Sequence, residues 1–191
     1  MTTVVEPPRL ETARLVLRPF TLADIGDVYA YAHDPAFWRY LPGMPQPYTR
    51  EEAATFLARA IGRDLALQIE WAIEYEGHAI GAINLRPQLA HRRAGMGYGI
   101  GPAHWGRGLT TEAARAVVGW AFATLPIDRV FATADARNTG SWRVMQHLGM
   151  WHEGSLRAHR MQDGVPADEV WYGILRGEWE PAAHAIVETR T

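Results

Sequence analysis

Apolar positions along the 191-residue chain recur with two periods, and the switches between them divide it into elements. Ala113, Ala114, Val117, Val118, Ala121, Phe122 and Leu125 follow the three-and-four spacing of a buried helical stripe, which Pro126 stops. A helix opens at Thr21 or Asp24, runs through Val28, Tyr29 and Ala32, and stops near Asp34 and Pro35. Another is capped by Thr49, with Glu51 and Glu52 in its first turn and Ala53, Phe56, Leu57 and Ala60 as its stripe. A fourth opens at Asn138, continues through Val144, Met145 and Leu148, and has Gly149 at the left-handed C-terminal position. Alternation and short apolar runs predict strands at 14–18, 70–75, 78–85, 129–134, 151–160 and 169–175. Glu76-Gly77 makes a turn of hairpin length, and residues 162–166 join the last two strands. The segment from Phe37 to Tyr48, with Trp38 and Tyr40, fits a packed connection and a substrate-pocket wall equally well.

One strand breaks the usual pattern. Gly95, Gly97, Gly99 and Gly101 project to one side, and Met96, Tyr98 and Ile100 to the other. A bare face is expected where a ligand or another backbone comes close, the alternative being a strand packed tightly under a helix. Next come His104, Trp105, Gly106, Arg107, Gly108, Leu109, Thr110, Thr111 and Glu112, which lead into the longest helix. A strand, a glycine turn and a helix N-terminus in succession build an anion site from backbone N–H groups and the helix dipole.

Composition narrows the chemistry. A formal charge of −2 gives no general case for nucleic acid. The chain has no cysteine, which excludes disulfides, thiolate metal sites and a cysteine nucleophile, and suits a reducing, cytoplasmic setting. No stretch approaches the roughly 20 apolar residues of a membrane span. Residues 1–8 read as a leader, 9–180 as one domain and 181–191 as a tail expected to fray.

Common site motifs fail on spacing. Gly101 and Gly106 have the glycine interval of a nucleotide-hydrolase loop, but Arg107 and Gly108 stand where lysine and a metal-binding hydroxyl are needed. Neither Gly97 and Gly99 nor Gly106 and Gly108 is followed by the third glycine of a dinucleotide fold. His147, His152 and His159 match no common zinc pattern, so no metal is expected. No nucleophile elbow is present.

Taken together, Trp105-Gly106-Arg107-Gly108, Thr111-Glu112-Ala113 and the series Asn138, Ser141, Arg143, Val144, Leu148 and Gly149 carry a resemblance. So do Glu153-Gly154, Leu156-Arg157, Gly164, Asp168, Tyr172 and Glu178-Trp179, with the opening Arg14-Leu15-Val16-Leu17-Arg18. The chain resembles the acyl-CoA-dependent (GNAT) N-acetyltransferases, in the branch that acetylates N-termini of ribosomal proteins. The resemblance implies a single α+β domain, an α/β/α sandwich whose central mixed, mostly antiparallel sheet is flanked by helices. It implies acetyl-CoA as co-substrate, its pantetheine arm beside Tyr98, Gly99 and Ile100. The pyrophosphate would rest on Trp105, Gly106, Arg107, Gly108, Leu109, Thr110 and Thr111, with Asn138 bonding the arm from the far side. A primary amine is the implied acceptor: a peptide N-terminus, an aminoglycoside-like compound or a polyamine. Relatives include dimers, so a homodimer is implied, with no nucleic-acid or membrane partner.

The resemblance also exposes substitutions. The tyrosine that protonates the leaving thiolate in many relatives is Met145 here, which leaves Ser141 as the implied acid; a bland alternative is that its hydroxyl only caps its own helix. The relatives' glutamate base falls on Gly95, and a second carboxylate falls on Arg160. His91, His159 or a water relay could take the proton instead. A larger acyl-CoA donor, such as succinyl-CoA, and a non-catalytic acyl-CoA sensor are the competing readings.

Overall fold

A computed structural model describes residues 7–41, 43–162 and 164–179, together with the backbone of Val187–Glu188. Its strands are β1 (Leu10–Glu11), β2 (Val16–Arg18), β3 (Ile69–Tyr75), β4 (His78–Gln88), β5 (Arg93–Ile100), β6 (Arg129–Asp135), β7 (Trp151–Gln162), β8 (Val165–Leu175) and β9 (Val187–Glu188). They form one sheet in the order β7-β8-β6-β5-β4-β3-β2-β1-β9. Every pairing is antiparallel except β5 with β6. Helices α1 (Ile25–Ala32), α2 (Pro35–Trp38), α3 (Arg50–Ile61), α4 (Leu109–Thr124) and α5 (Thr139–His147) complete the α+β sandwich.

Departures from the sequence reading have local causes. The strand expected at 14–18 is shortened to β2 and an unexpected strand, β1, precedes it, because Thr12 and Leu15 exchange bonds across a reverse turn: Leu15 N–H donates to Thr12 Oγ1 and Thr12 N–H to Leu15 O, both at 2.9 Å. Part of the tail is in the sheet: Val187–Glu188 pairs with β1, and the other tail residues lie outside those described. Pro35 opens a new short helix, with Asp34 Oδ1 accepting the Ala36 N–H at 2.8 Å. Pro87 and Pro166 sit within β4 and β8. Each lies past the end of the strand on one flank, β3 for Pro87 and β6 for Pro166, where a missing N–H costs nothing.

Each face of the sheet has its own apolar layer. Trp71, Leu85, Met96, Leu109, Val117, Val118 and Phe122 pack with α4 and α5 on one face. Val28, Tyr31, Tyr48, Ala53 and Leu57 pack with α1 and α3 on the other. Burying each large apolar side chain contributes about 1.5–3 kcal/mol, so these layers supply the main driving force. The decisive feature lies between them. The parallel pair β5–β6 holds only at Arg93 with Arg129, Ala94 with Val130 and Gly95 with Phe131. Beyond Gly95 the strands separate and leave a gap.

Candidate active site

Three features meet at that gap. The first is a row of backbone groups. Gly101 N–H donates to Ile80 O on the β4 side at 2.8 Å. Polar groups alternate sides along a strand, so those of Tyr98 and Ile100 face the gap. One is occupied: Trp105 Nε1 donates to Ile100 O at 2.7 Å, which ties the loop to the strand.

The second feature is the start of α4. Gly106 and Gly108 hold φ of 72° and 76°, the left-handed region that favours glycine. No side chain among the described residues caps the helix, and the N–H groups of residues 106–111 donate to no atom among them. A Cβ on Gly106 would meet nothing within 4 Å. Backbone donors, open space and the dipole of a 16-residue helix fit a pyrophosphate. Side chains of the loop face elsewhere. Leu109 is buried in the core, and Arg107 Nη2 donates to Tyr75 Oη at 2.8 Å. Thr110 and Thr111 are half-buried in the first helical turn. Glu112 clamps the turn from behind, accepting from Thr12 Oγ1 at 2.6 Å, Arg14 N–H at 2.9 Å and Arg14 Nε at 2.7 Å. The same arginine donates to Arg107 O at 3.0 Å. Burial pushes the Glu112 carboxyl up, but the Thr12 and Arg14 bonds outweigh it and hold it below its ordinary value.

The third feature is a cavity of about 540 Å³ on the α1–α3 face, reaching through the gap to α5. Gly97, Tyr98 and Gly99 form part of its wall, with Asn138 and Ser141 beyond. Phe37, Tyr40 and Tyr48 line it too, so the aromatic segment is pocket wall at these positions. Trp38 is the exception, its Nε1 being buried without a partner among the described residues.

The glycine face is not bare. A Cβ on Gly95 would lie 3.1 Å from the Phe131 ring, one on Gly99 3.2 Å from Phe37, and one on Gly101 2.8 Å from Tyr31. Aromatic side chains packed on backbone, by their rings at Gly95 and Gly99 and by the Tyr31 Cβ at Gly101, require glycine here. They also explain one missing base, since Phe131 fills the space a glutamate at Gly95 would need. Met145 is 1 % exposed in the α4 layer and does not line the cavity.

Ser141 is set up by its neighbours. Asn138 Oδ1 accepts the Ser141 N–H at 3.2 Å, so asparagine caps α5 and the serine hydroxyl is released from that task. Ser141 Oγ donates to Tyr98 Oη at 3.3 Å, and Tyr98 Oη donates to Ser141 O at 2.9 Å. Burial pushes the Tyr98 phenol far up, so it stays a neutral donor. With Oδ1 accepting the Ser141 N–H, the Asn138 amide nitrogen is the donor it offers a ligand.

Two carboxylates at the cavity carry no motif. Asp135 is 1 % exposed, and Arg137 donates to both its oxygens, holding its carboxyl below the ordinary value. Glu169 Oε2 accepts from Trp171 Nε1 at 3.0 Å, and His159 Nε2 lies 3.6 Å away. A bulge in β7 delivers that histidine: Leu156 pairs with Glu169 and Arg160 with Ala167, and Ala158 has φ of 50°. His91 is in the β4–β5 connection and does not line the cavity. Arg160 does line it, donating to Tyr40 O at 3.3 Å. A polar residue in an apolar strand is the only sequence trace Glu169 leaves.

Residues 14–151, well over half of the chain, match the family model described as the acetyltransferase (GNAT) domain. The chain belongs to the GNAT acetyltransferase family. It is 32% identical to the uncharacterised N-acetyltransferase YoaA of Bacillus subtilis, over 88% of this chain and 97% of that one. It is 34% identical to the putative ribosomal N-acetyltransferase YdaF of the same organism, over 59% and 62% of the two chains. A solved putative acetyltransferase of T. thermophilus superposes with a TM-score of 0.79 at 30% identity, covering 91% of this chain and 92% of that one. This GNAT protein is therefore an acyl-CoA-dependent N-acetyltransferase with acetyl-CoA as donor, similar to the ribosomal-protein branch. The family match ends at residue 151, so His159 and Glu169 fall outside it. No helix among the described residues is long and apolar enough to cross a membrane.

Proposed function

We propose that this acetyltransferase transfers the acetyl group to a primary amine by direct attack within a ternary complex. The observation that carries the reading is the gap after Gly95: it joins the N–H cradle of α4, on one face, to the cavity on the other. In this reading the N–H groups of residues 106–111 bind the pyrophosphate. The pantetheine arm pairs with the Tyr98 backbone and the Ile100 N–H, the groups left open on that edge, flanked by Gly99, and the Asn138 amide nitrogen donates from α5.

The chemistry needs three services. Glu169 accepts a proton from the incoming amine, and half-exposed His159 passes it to solvent. The amine nitrogen then bonds to the thioester carbon, and a backbone N–H on the open edge of β5 steadies the oxyanion. As the carbon–sulfur bond breaks, the thiolate takes the Ser141 Oγ proton, and the serine regains one from solvent through the cavity while neutral Tyr98 holds its hydroxyl in place. No enzyme nucleophile takes part.

The test is release of free CoA thiol on mixing the protein with acetyl-CoA and a panel of primary amines. Succinyl-CoA is run in parallel. Turnover with amines and no acetylated protein after acetyl-CoA alone supports direct attack. Acetyl-CoA binding without turnover on any amine would overturn it. The homodimer belongs to the proposal too, supported by Trp151, Leu156 and Met161 exposed along the outermost strand β7. A monomer by light scattering, even at the highest concentration the protein tolerates, would remove it.

A further inference from the structure

The charged groups of the cavity say something about the acceptor that the transfer chemistry does not. Among the described residues, four ionisable side chains other than tyrosines line it: Arg86, Arg160, Asp135 and Glu169. Asp135 is already paired with Arg137, leaving it little attraction for an incoming cation. Glu169 is the acid to which an ammonium group would come.

The two arginines are differently placed. Arg86 makes no hydrogen bond or ion pair among the described residues, although most arginines near this sheet do. Its Nη2 would lie 3.5 Å from a Cβ built on Gly97, so the guanidinium hangs directly over the glycine stretch. Arg160 bonds only neutral oxygens, Tyr40 O at 3.3 Å and Gln162 Oε1 at 3.4 Å. Neither cation has a carboxylate at ion-pair distance among the described residues; Glu70 acts on Arg86, and Asp135 on Arg160, only from farther away. Beside them Asn84 lines the same cavity, and its buried Oδ1 accepts from no donor among those residues. A buried acceptor without a partner is an unusual cost unless a ligand donor satisfies it.

Two guanidinium groups without a close carboxylate, with a carboxylate and an unfilled acceptor in the same cavity, complement a zwitterion. We propose that the acceptor is a small primary amine that also carries a carboxylate, in the manner of an amino acid. Its carboxylate is held by Arg86 and Arg160, and its amine is directed to Glu169 and Asn84. A cavity of about 540 Å³ has room for such a molecule beside an acetyl thioester. Polyamines and aminoglycoside-like compounds meet the wrong charge, because each would place further cations against the arginines. The inference rests on the acetyltransferase reading and names its substrate class.

The test compares matched acceptors: free amino acids, the corresponding amides and methyl esters, dipeptides, and spermidine, each followed by CoA thiol release. The carboxylate form should be preferred over its amide by roughly 10- to 100-fold in kcat/KM, as for charge-assisted hydrogen bonds to a carboxylate. Arg86→Gln, at an exposed position, should collapse that ratio toward one by raising KM for the carboxylate form, and Arg86→Lys should restore part of it. Arg160→Gln should act in the same direction. Unchanged acetyl-CoA affinity in each variant, by calorimetry, shows that the fold is intact. Amides turned over as well as acids, or spermidine as the best acceptor, would overturn this inference and leave the transferase reading standing. Thiol release with no amine at all would overturn both.

Discussion

Substitution of Gly108 by alanine separates the backbone strain of the α4 loop from its proposed task. Gly108 has φ of 76° and ψ of 3°, and a Cβ there would find only Arg14 Nη2, at 3.7 Å. In the free protein nothing must move, so the cost is conformational alone. An L-residue held in the left-handed region costs about 1–2 kcal/mol. For a chain of this size that lowers Tm by about 2–8 °C. Gly77, in the β3–β4 turn, has φ of 83° and would place a Cβ with nothing within 4 Å, so Gly77→Ala carries the same strain far from the loop. The two variants should therefore lose similar stability in thermal melts. They should differ in acetyl-CoA affinity measured by calorimetry. At Gly108 the strained backbone would re-aim the N–H groups proposed to hold the phosphates, and losing one charge-assisted bond of about 1.5–3 kcal/mol would weaken binding about 10- to 100-fold. Gly77→Ala should bind acetyl-CoA like the parent. Equal affinities in both variants would refute the assignment of the pyrophosphate to this turn.

Ser141→Ala should lower kcat about 100-fold while acetyl-CoA affinity holds, the expected size for loss of a positioned proton donor; unchanged turnover would reduce the hydroxyl to packing. Tyr98→Phe should have a smaller effect in the same direction, since it removes only the partner of that hydroxyl. Asp135→Asn should destabilise the protein at neutral pH by about 1–3 kcal/mol, read by urea unfolding. Because Arg137 holds the folded carboxyl below its ordinary 3.8, the contribution is present above that value and lost as the pH falls through the lower folded value. The gap between parent and variant should therefore close in acid. Gly95→Glu should cost about 1–3 kcal/mol by collision with the Phe131 ring. Adding Phe131→Ala should recover part of that cost, so that the double variant is more stable than the two single losses summed.

Helices α3, α4 and α5 are readable in the sequence because capping residue, apolar stripe and stop signal agree: Thr49 caps α3, and α4 ends just before Pro126. The loop of residues 104–112 is readable for a similar reason, since backbone-built sites leave glycines behind. Side-chain sites brought together by topology leave no such trace. Glu169 and His159 are ten residues apart on opposite arms of the β7–β8 hairpin, and only the bulge at Ala158 brings the ring to the carboxylate. The meaning of the glycine strand is half legible. Its alternation shows that something lies close, but not that Phe131, Phe37 and Tyr31 from distant elements supply the close packing. Ser141 stands between two roles on sequence; the Asn138 cap frees it from one of them.

The separation of β5 from β6 has a consequence for traffic. The sheet is a partition with a slot past Gly95, and in the proposed arrangement the donor's phosphates sit at α4 on one side of it and the acceptor in the cavity on the other. With the donor bound as proposed, only the thioester tip passes through. Each substrate then has its own doorway. The acetylated amine and spent CoA can leave in either order, neither blocking the other's exit, and the width of the slot limits how bulky an acyl group can reach the amine.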